Sequence, residues 1–97
     1  LIFTPEAVRQ VDTLLRHYEA LERDSAARAL LAALAEAERR IERKPTAGLA
    51  APRPYPELAA EGDAWVKAGR YWIGYRTAEP PAIFAVFFET ANIPGRL

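Results

Sequence analysis

The chain has no cysteine, no methionine and a single histidine, His17. Without cysteine, a disulfide framework and a cysteine-based zinc site are both excluded, and the composition suits a reducing cytoplasm without requiring one. His17 lies among charged residues in a helix-patterned stretch with no nucleophile pattern nearby, so it reads as a solvated side chain and not as an acid–base catalyst. An excess of either charge is also missing. Thirteen Lys and Arg balance thirteen Asp and Glu, whereas nucleic-acid binders use surplus positive charge to displace counterions from phosphate. No sequence-specific nucleic-acid binding is therefore expected. No run approaches the roughly 18 apolar residues of a membrane span, and the N-terminus lacks a basic stretch followed by an apolar one. The expectation is a soluble, cytoplasmic protein with no membrane partner. With no methionine and Leu1 first, an initiator and a few residues are expected to precede the chain. Neither a phosphate-cradling glycine loop nor a nucleophile elbow is present. Glu57, Glu61 and Asp63 have no histidine beside them to complete a ligand set, so no metal or other cofactor is expected.

What the sequence does contain fits one domain spanning residues 1–97, with 51% hydrophobic residues and no internal repeat. Leu1-Ile2-Phe3 is a short strand-like run that stops at Thr4-Pro5-Glu6, where Thr4 suits a helix cap, Pro5 the first helical position and Glu6 the positive end. Val8, Val11, Leu15, Tyr18 and Leu21 recur at helical steps opposite Arg9, Asp12, Arg16 and Glu19. Asp24-Ser25 breaks that pattern and offers a fresh cap. A second stripe follows: Ala27, Leu30, Leu31, Leu34, Ala37 and Ile41. Two amphipathic helices joined by a short break predict a hairpin. The mixed charges of residues 36–44 read as a solvated helix face, with a basic end over residues 39–44. Residues 45–56 hold four prolines and a glycine, which predicts an ordered loop without regular structure.

Beyond that loop the period changes from helical to alternating. Residues 64–67, 71–76 and 83–89 read as three strands, separated by a tight turn at Ala68-Gly69 and another at Glu79-Pro80-Pro81. The predicted class is α+β: a short N-terminal strand, then a two-helix hairpin packed on one face of an antiparallel sheet, in the order β-α-α-β-β-β. In the run Gly69-Arg70-Tyr71-Trp72-Ile73-Gly74-Tyr75-Arg76, a period of two turns Tyr71, Ile73 and Tyr75 inward, against Leu15, Leu31 and Leu34. Arg70, Trp72, Gly74 and Arg76 then point to the opposite face. Two helices cover one face only, so the other is expected to present Trp72 and part of the phenylalanine set as an open partner-binding patch. Strict alternation sends Phe84 and Phe87 to opposite faces, with at least one of them in the core. The residues expected to contact a partner are Arg70, Trp72, Arg76, Phe88 and Glu89.

This order of elements, with a Tyr-x-Ile-x-Tyr core strand, resembles the RelE/ParE superfamily of toxins from bacterial type II toxin–antitoxin modules. The parts that carry the resemblance are Phe3-Thr4-Pro5-Glu6-Ala7, Asp24-Ser25-Ala26-Ala27-Arg28, residues 69–75 and residues 86–94. It implies a toxin neutralised by a cognate antitoxin protein. Relatives that cut mRNA on the ribosome usually carry an arginine where this chain has Trp72. Many end the last strand in a pattern like His-x-x-Arg-Asp-Ile-Pro, where this chain has Phe88-Glu89-Thr90-Ala91-Asn92-Ile93-Pro94. Cleavage by a 2'-hydroxyl needs a proton acceptor, cationic donors for the phosphate and an acid for the leaving oxygen. Trp72, Phe88 and Ala91 supply none of these. The resemblance therefore points to the ParE branch, which poisons DNA gyrase through protein contacts, with no catalytic residue expected. A ribosome-dependent mRNA endonuclease with an altered site, and a non-toxic binding module of the same fold, are the alternatives.

Overall fold

The computed structural model describes residues 1–96. Strand β1 (Ile2–Phe3) leads directly into helix α1 (Pro5–Ala20), because the Thr4 side chain accepts a hydrogen bond from the Ala7 N–H at 3.2 Å and Pro5 occupies the first turn. Helix α2 (Asp24–Arg43) follows after a tight reversal in which Glu22 takes a positive φ of 54°. Asp24 is already helical and Arg23 precedes it without a side-chain cap bond, so the expected Asp24-Ser25 cap is the helix's first turn instead. Two 3-10 turns, Pro45–Ala47 and Pro56–Leu58, punctuate the long loop. Strands β2 (Asp63–Ala68), β3 (Tyr71–Arg76) and β4 (Ala82–Phe88) complete the expected order.

The sheet order is β1-β4-β3-β2, with β2, β3 and β4 antiparallel and β1 parallel to β4. It is a mixed sheet rather than the antiparallel one expected, because the antiparallel three-stranded meander brings its last strand, β4, beside β1 running in the same direction. A two-residue loop, Gly69-Arg70, joins β2 to β3, with Gly69 at φ 55°. A positive φ at the first loop position alone is the preference of the II′ hairpin turn, which glycine meets without steric cost. The turn thus lies one residue later than Ala68-Gly69, with Arg70 as its second residue, and β3 begins at Tyr71 as expected.

Both edges of the sheet are partly closed. The outer edge of β2 pairs with Leu49 through Trp65, with N–O distances of 2.7 and 2.8 Å, and the Arg40 guanidinium donates to the Lys67 carbonyl at 2.8 Å. On β4 the Val86 N–H donates to the Gln10 side chain at 2.7 Å, which ties α1 to the strand beyond the end of β1.

Between helices and sheet lies the larger core, built on Ala7, Tyr18, Leu30, Leu34, Ile41, Tyr71, Ile73, Tyr75, Ile83 and Val86. The inward set Tyr71, Ile73 and Tyr75 agrees with the alternation. Most of the two helix stripes face the core, with Tyr18, Leu30, Leu34, Ala37 and Ile41 buried and Val11, Leu15 and Ala27 packed against them, but Val8 on α1, Leu21 just past its end and Leu31 on α2 are each more than half exposed, while Ala7 and Ala33 are buried. Small residues let the helices approach the sheet closely, and the larger neighbours one step round are left in solvent. Leu31 therefore does not meet Ile73.

The second face of the sheet is not open. Trp65, Trp72, Ala85, Phe87 and Ile93 form a second buried cluster, with Tyr55, Leu58, Phe84 and Ala91 packed against it. The proline-containing loop and the segment after β4 do the covering that a third helix would do in a larger domain. Phe84 and Phe87 lie together in this cluster because the β3–β4 register slips: Gly74 pairs with Ala85 but Tyr75 pairs with Ile83. The extra residue, Phe84, is a bulge that reverses the alternation beyond it. Phe88 consequently turns to the helix side, where it packs against the larger core.

Candidate functional site

The charged residues gather where β2 turns into β3 and β4 ends. The Gly69-Arg70 loop carries Arg70 past the end of the sheet, and the Glu89 N–H donates to the Arg70 carbonyl at 2.9 Å. Arg70 Nε donates to Glu89 Oε2 at 2.6 Å, and Lys67 Nζ donates to Glu89 Oε1 at 2.8 Å. One carboxylate is thus shared by two cations. The Lys67 hydrogen bond first, and the Arg70 bond second, hold the Glu89 carboxyl below the usual carboxylate range. Glu89 stays ionised at neutral pH and is a weak proton acceptor. Its chemical use is to fix the directions of Lys67 and Arg70.

Two clefts flank this rim. On the β2 side, a cavity of about 610 Å³ is lined by Arg40, Arg53, Lys67 and Glu89 over Trp65 and Trp72. Among the described residues, three cations against one carboxylate make its lining electropositive, although the chain as a whole is neutral. On the helix side, the Arg70 guanidinium stands 4.8 Å from the centre of the Phe88 ring, within cation–π range. Phe88 meets Tyr71 edge-on at 5.5 Å. The Tyr71 and Tyr18 hydroxyls are hydrogen-bonded to each other across the helix–sheet core. Burial first, and the Tyr18 bond second, push the Tyr71 phenol well above its ordinary pKa.

Of the five residues expected to form one partner surface, the structure brings together Arg70, Phe88 and Glu89. Phe88 reaches that group from the helix side and not from the Trp72 face, because of the bulge. Arg76 stands at the other end of β3, with its guanidinium 5.0 Å from the Phe84 ring centre. Trp72 lies beneath the rim at 5% exposure, a floor residue of the β2-side cavity and not an open patch. Arg53, on the proline-containing loop, and Trp65 were not distinguished by the sequence. Arg40 stood only within the basic end of α2. The β2 period gave a signal for Trp65, since its position opposite Gly74 places it on the Trp72 face. Among the described residues, no group of three or more His, Cys, Asp or Glu side chains gathers in a way that would hold a metal. His17 is exposed, its ring 5.9 Å from that of Tyr18. Among the described residues, no helix is long and apolar enough to cross a membrane.

No protein-family model matches this chain, and no curated protein matches it in sequence.

Proposed function

We propose that the chain is the toxin of a bacterial type II toxin–antitoxin module, acting by protein contact on DNA gyrase and neutralised by a cognate antitoxin. The observation that carries the reading is the filling of the second sheet face. Where a nuclease of the same architecture would need phosphate-binding and proton-transfer groups, this chain places Trp65, Trp72, Phe87 and Ile93, closed under the loop. Indole and phenyl rings there contribute stability and shape, and neither moves a proton at neutral pH. The groups left for recognition are Arg70, Lys67 and Arg40 at the rim, with Glu89 holding the first two in fixed directions. A rim of oriented cations suits an acidic protein surface, both for a target and for an antitoxin that competes with it.

The electropositive cleft of Arg40, Arg53 and Lys67 favours a second reading, a ribosome-dependent mRNA endonuclease in which these side chains hold the phosphate. Purified chain added to a gyrase supercoiling reaction and to a translating extract separates the two. Inhibited supercoiling, or trapped cleaved DNA, with mRNA left intact is the expected outcome. Codon-phased mRNA cuts with unaffected gyrase would overturn it in favour of the nuclease.

A further inference from the structure

The cleft on the helix side of the rim has a construction of its own. It measures about 530 Å³ and lies between the end of α1, the start of α2 and the β2–β3 turn. Its floor is a row of aromatic rings: Tyr18, bonded through its hydroxyl to Tyr71, which meets Phe88 edge-on. A guanidinium stands at each end of that row, Arg23 at 6.0 Å from the Tyr18 ring centre and Arg70 at 4.8 Å from that of Phe88. His17 lines the same cleft, and among the described residues no carboxylate does. Arg70 is bound to Glu89 through Nε, which leaves its terminal nitrogens to donate elsewhere. Both guanidiniums are near enough to the Tyr71 phenol to act against the upward push that burial exerts on it. The wall at Ser25, Ala26, Ala29 and Gly69 is made of small side chains, so the cleft stays open along its length.

Apolar floor, cations at both ends and an open side define the occupant by complementarity. Tyr18 and Tyr71 are already covered, at 6% and 3% exposure, so the apolar surface left for an occupant is that of the half-buried Phe88 and Leu14, and each guanidinium gains from a carboxylate. The open side suits a chain passing through rather than an enclosed small molecule. We propose that this cleft binds an extended acidic segment of a partner protein, seating a large apolar side chain on Phe88 and Leu14 and a carboxylate at each of Arg23 and Arg70. The site stands whether or not the chain acts on gyrase, since it rests on the cleft alone.

The test uses the full chain and a blocked tetrapeptide that alternates leucine or phenylalanine with glutamate, titrated by nitrogen-15 amide NMR. The amides of Ser25, Gly69 and Tyr71 are expected to shift together and to saturate. A counterpart peptide with glutamine in place of glutamate should bind about tenfold more weakly. Arg23→Gln and Arg70→Gln, at exposed positions and with unchanged circular dichroism, should each weaken the acidic peptide by about two- to fivefold, the range of an exposed ion pair. Equal binding of the neutral peptide, shifts that map to the Arg40 and Arg53 cleft instead, or no shift at these three amides would each overturn the proposal. Binding of free phenylacetate with no binding of the peptide would overturn the assignment to a protein segment.

Discussion

Replacing Gly74 with alanine tests the second core at its tightest point. Gly74 pairs with Trp65 across β2 and β3, and a Cβ built on it would lie 2.9 Å from both Cη2 and Cζ3 of the Trp65 ring and 3.0 Å from the tip of Phe84. Trp65 has no room to yield. It is 1% exposed and meets Phe84 edge-on at 5.5 Å. Relieving the contact means moving an indole by several tenths of an ångström against the covering loop, an overpacking that costs about 1–3 kcal/mol. Alanine returns up to about 1 kcal/mol by restricting the unfolded chain, so a net loss of about 1–2 kcal/mol is expected. In a domain of this size that lowers Tm by about 4–15 °C. Thermal unfolding followed by tryptophan fluorescence reads the change. In a Trp65→Phe background the smaller ring withdraws the clashing atoms, and the cost of Gly74→Ala should fall to about 0.5 kcal/mol or less. A Gly74→Ala chain that melts with the parent, or a penalty unchanged in the Trp65→Phe background, would refute the packing of Trp65 over Gly74.

Two further expectations address the larger core and the rim. Ile73→Ala, at a fully buried position, should cost about 2–5 kcal/mol in urea denaturation, whereas Leu31→Ala, at 52% exposure, should stay within about 0.5 kcal/mol; the reverse ranking would contradict the exposed placement of Leu31 on α2. Because the folded Glu89 carboxyl lies below its ordinary value of 4.5, its contribution to stability is present above that value and lost as pH falls through the lower folded one. The stability difference between the parent and Glu89→Gln should therefore be constant near neutrality and disappear in acid; a difference that persists unchanged through pH about 3 would contradict the shared ion pair.

Much of the fold was legible in the sequence because local chemistry and global architecture agree there. Thr4-Pro5 starts α1, the period-two run from Tyr71 sets β3, and Pro45 follows α2, each by a local steric or hydrogen-bonding reason. What escaped the sequence depends on contacts between distant segments. A bulge at Phe84 has no local signature, yet it reverses the faces of Phe87 and Phe88 and so divides residues that alternation had grouped. The cover over Trp72 escaped for a similar reason: a loop rich in proline reads as a connection, and only tertiary contact reveals that Tyr55 and Leu58 roof a tryptophan. Arg70 is instructive in the opposite direction. A one-residue shift made it the second residue of the turn, but left it beside Glu89, where the sequence had grouped the two.

The central claim, a toxin that works through its cationic rim and not through the Trp72 face, is tested most directly by expressing the chain alone in a bacterium and following growth. The wild-type chain should arrest growth. Trp72→Phe, which keeps an aromatic ring in the second core, should arrest it as well, while the pair Lys67→Ala and Arg70→Ala should abolish arrest in a chain that melts close to Glu89→Gln, which loses the same ion pairs. Unimpeded growth at matched expression of the wild-type chain, or arrest that survives loss of both cations, would contradict the account.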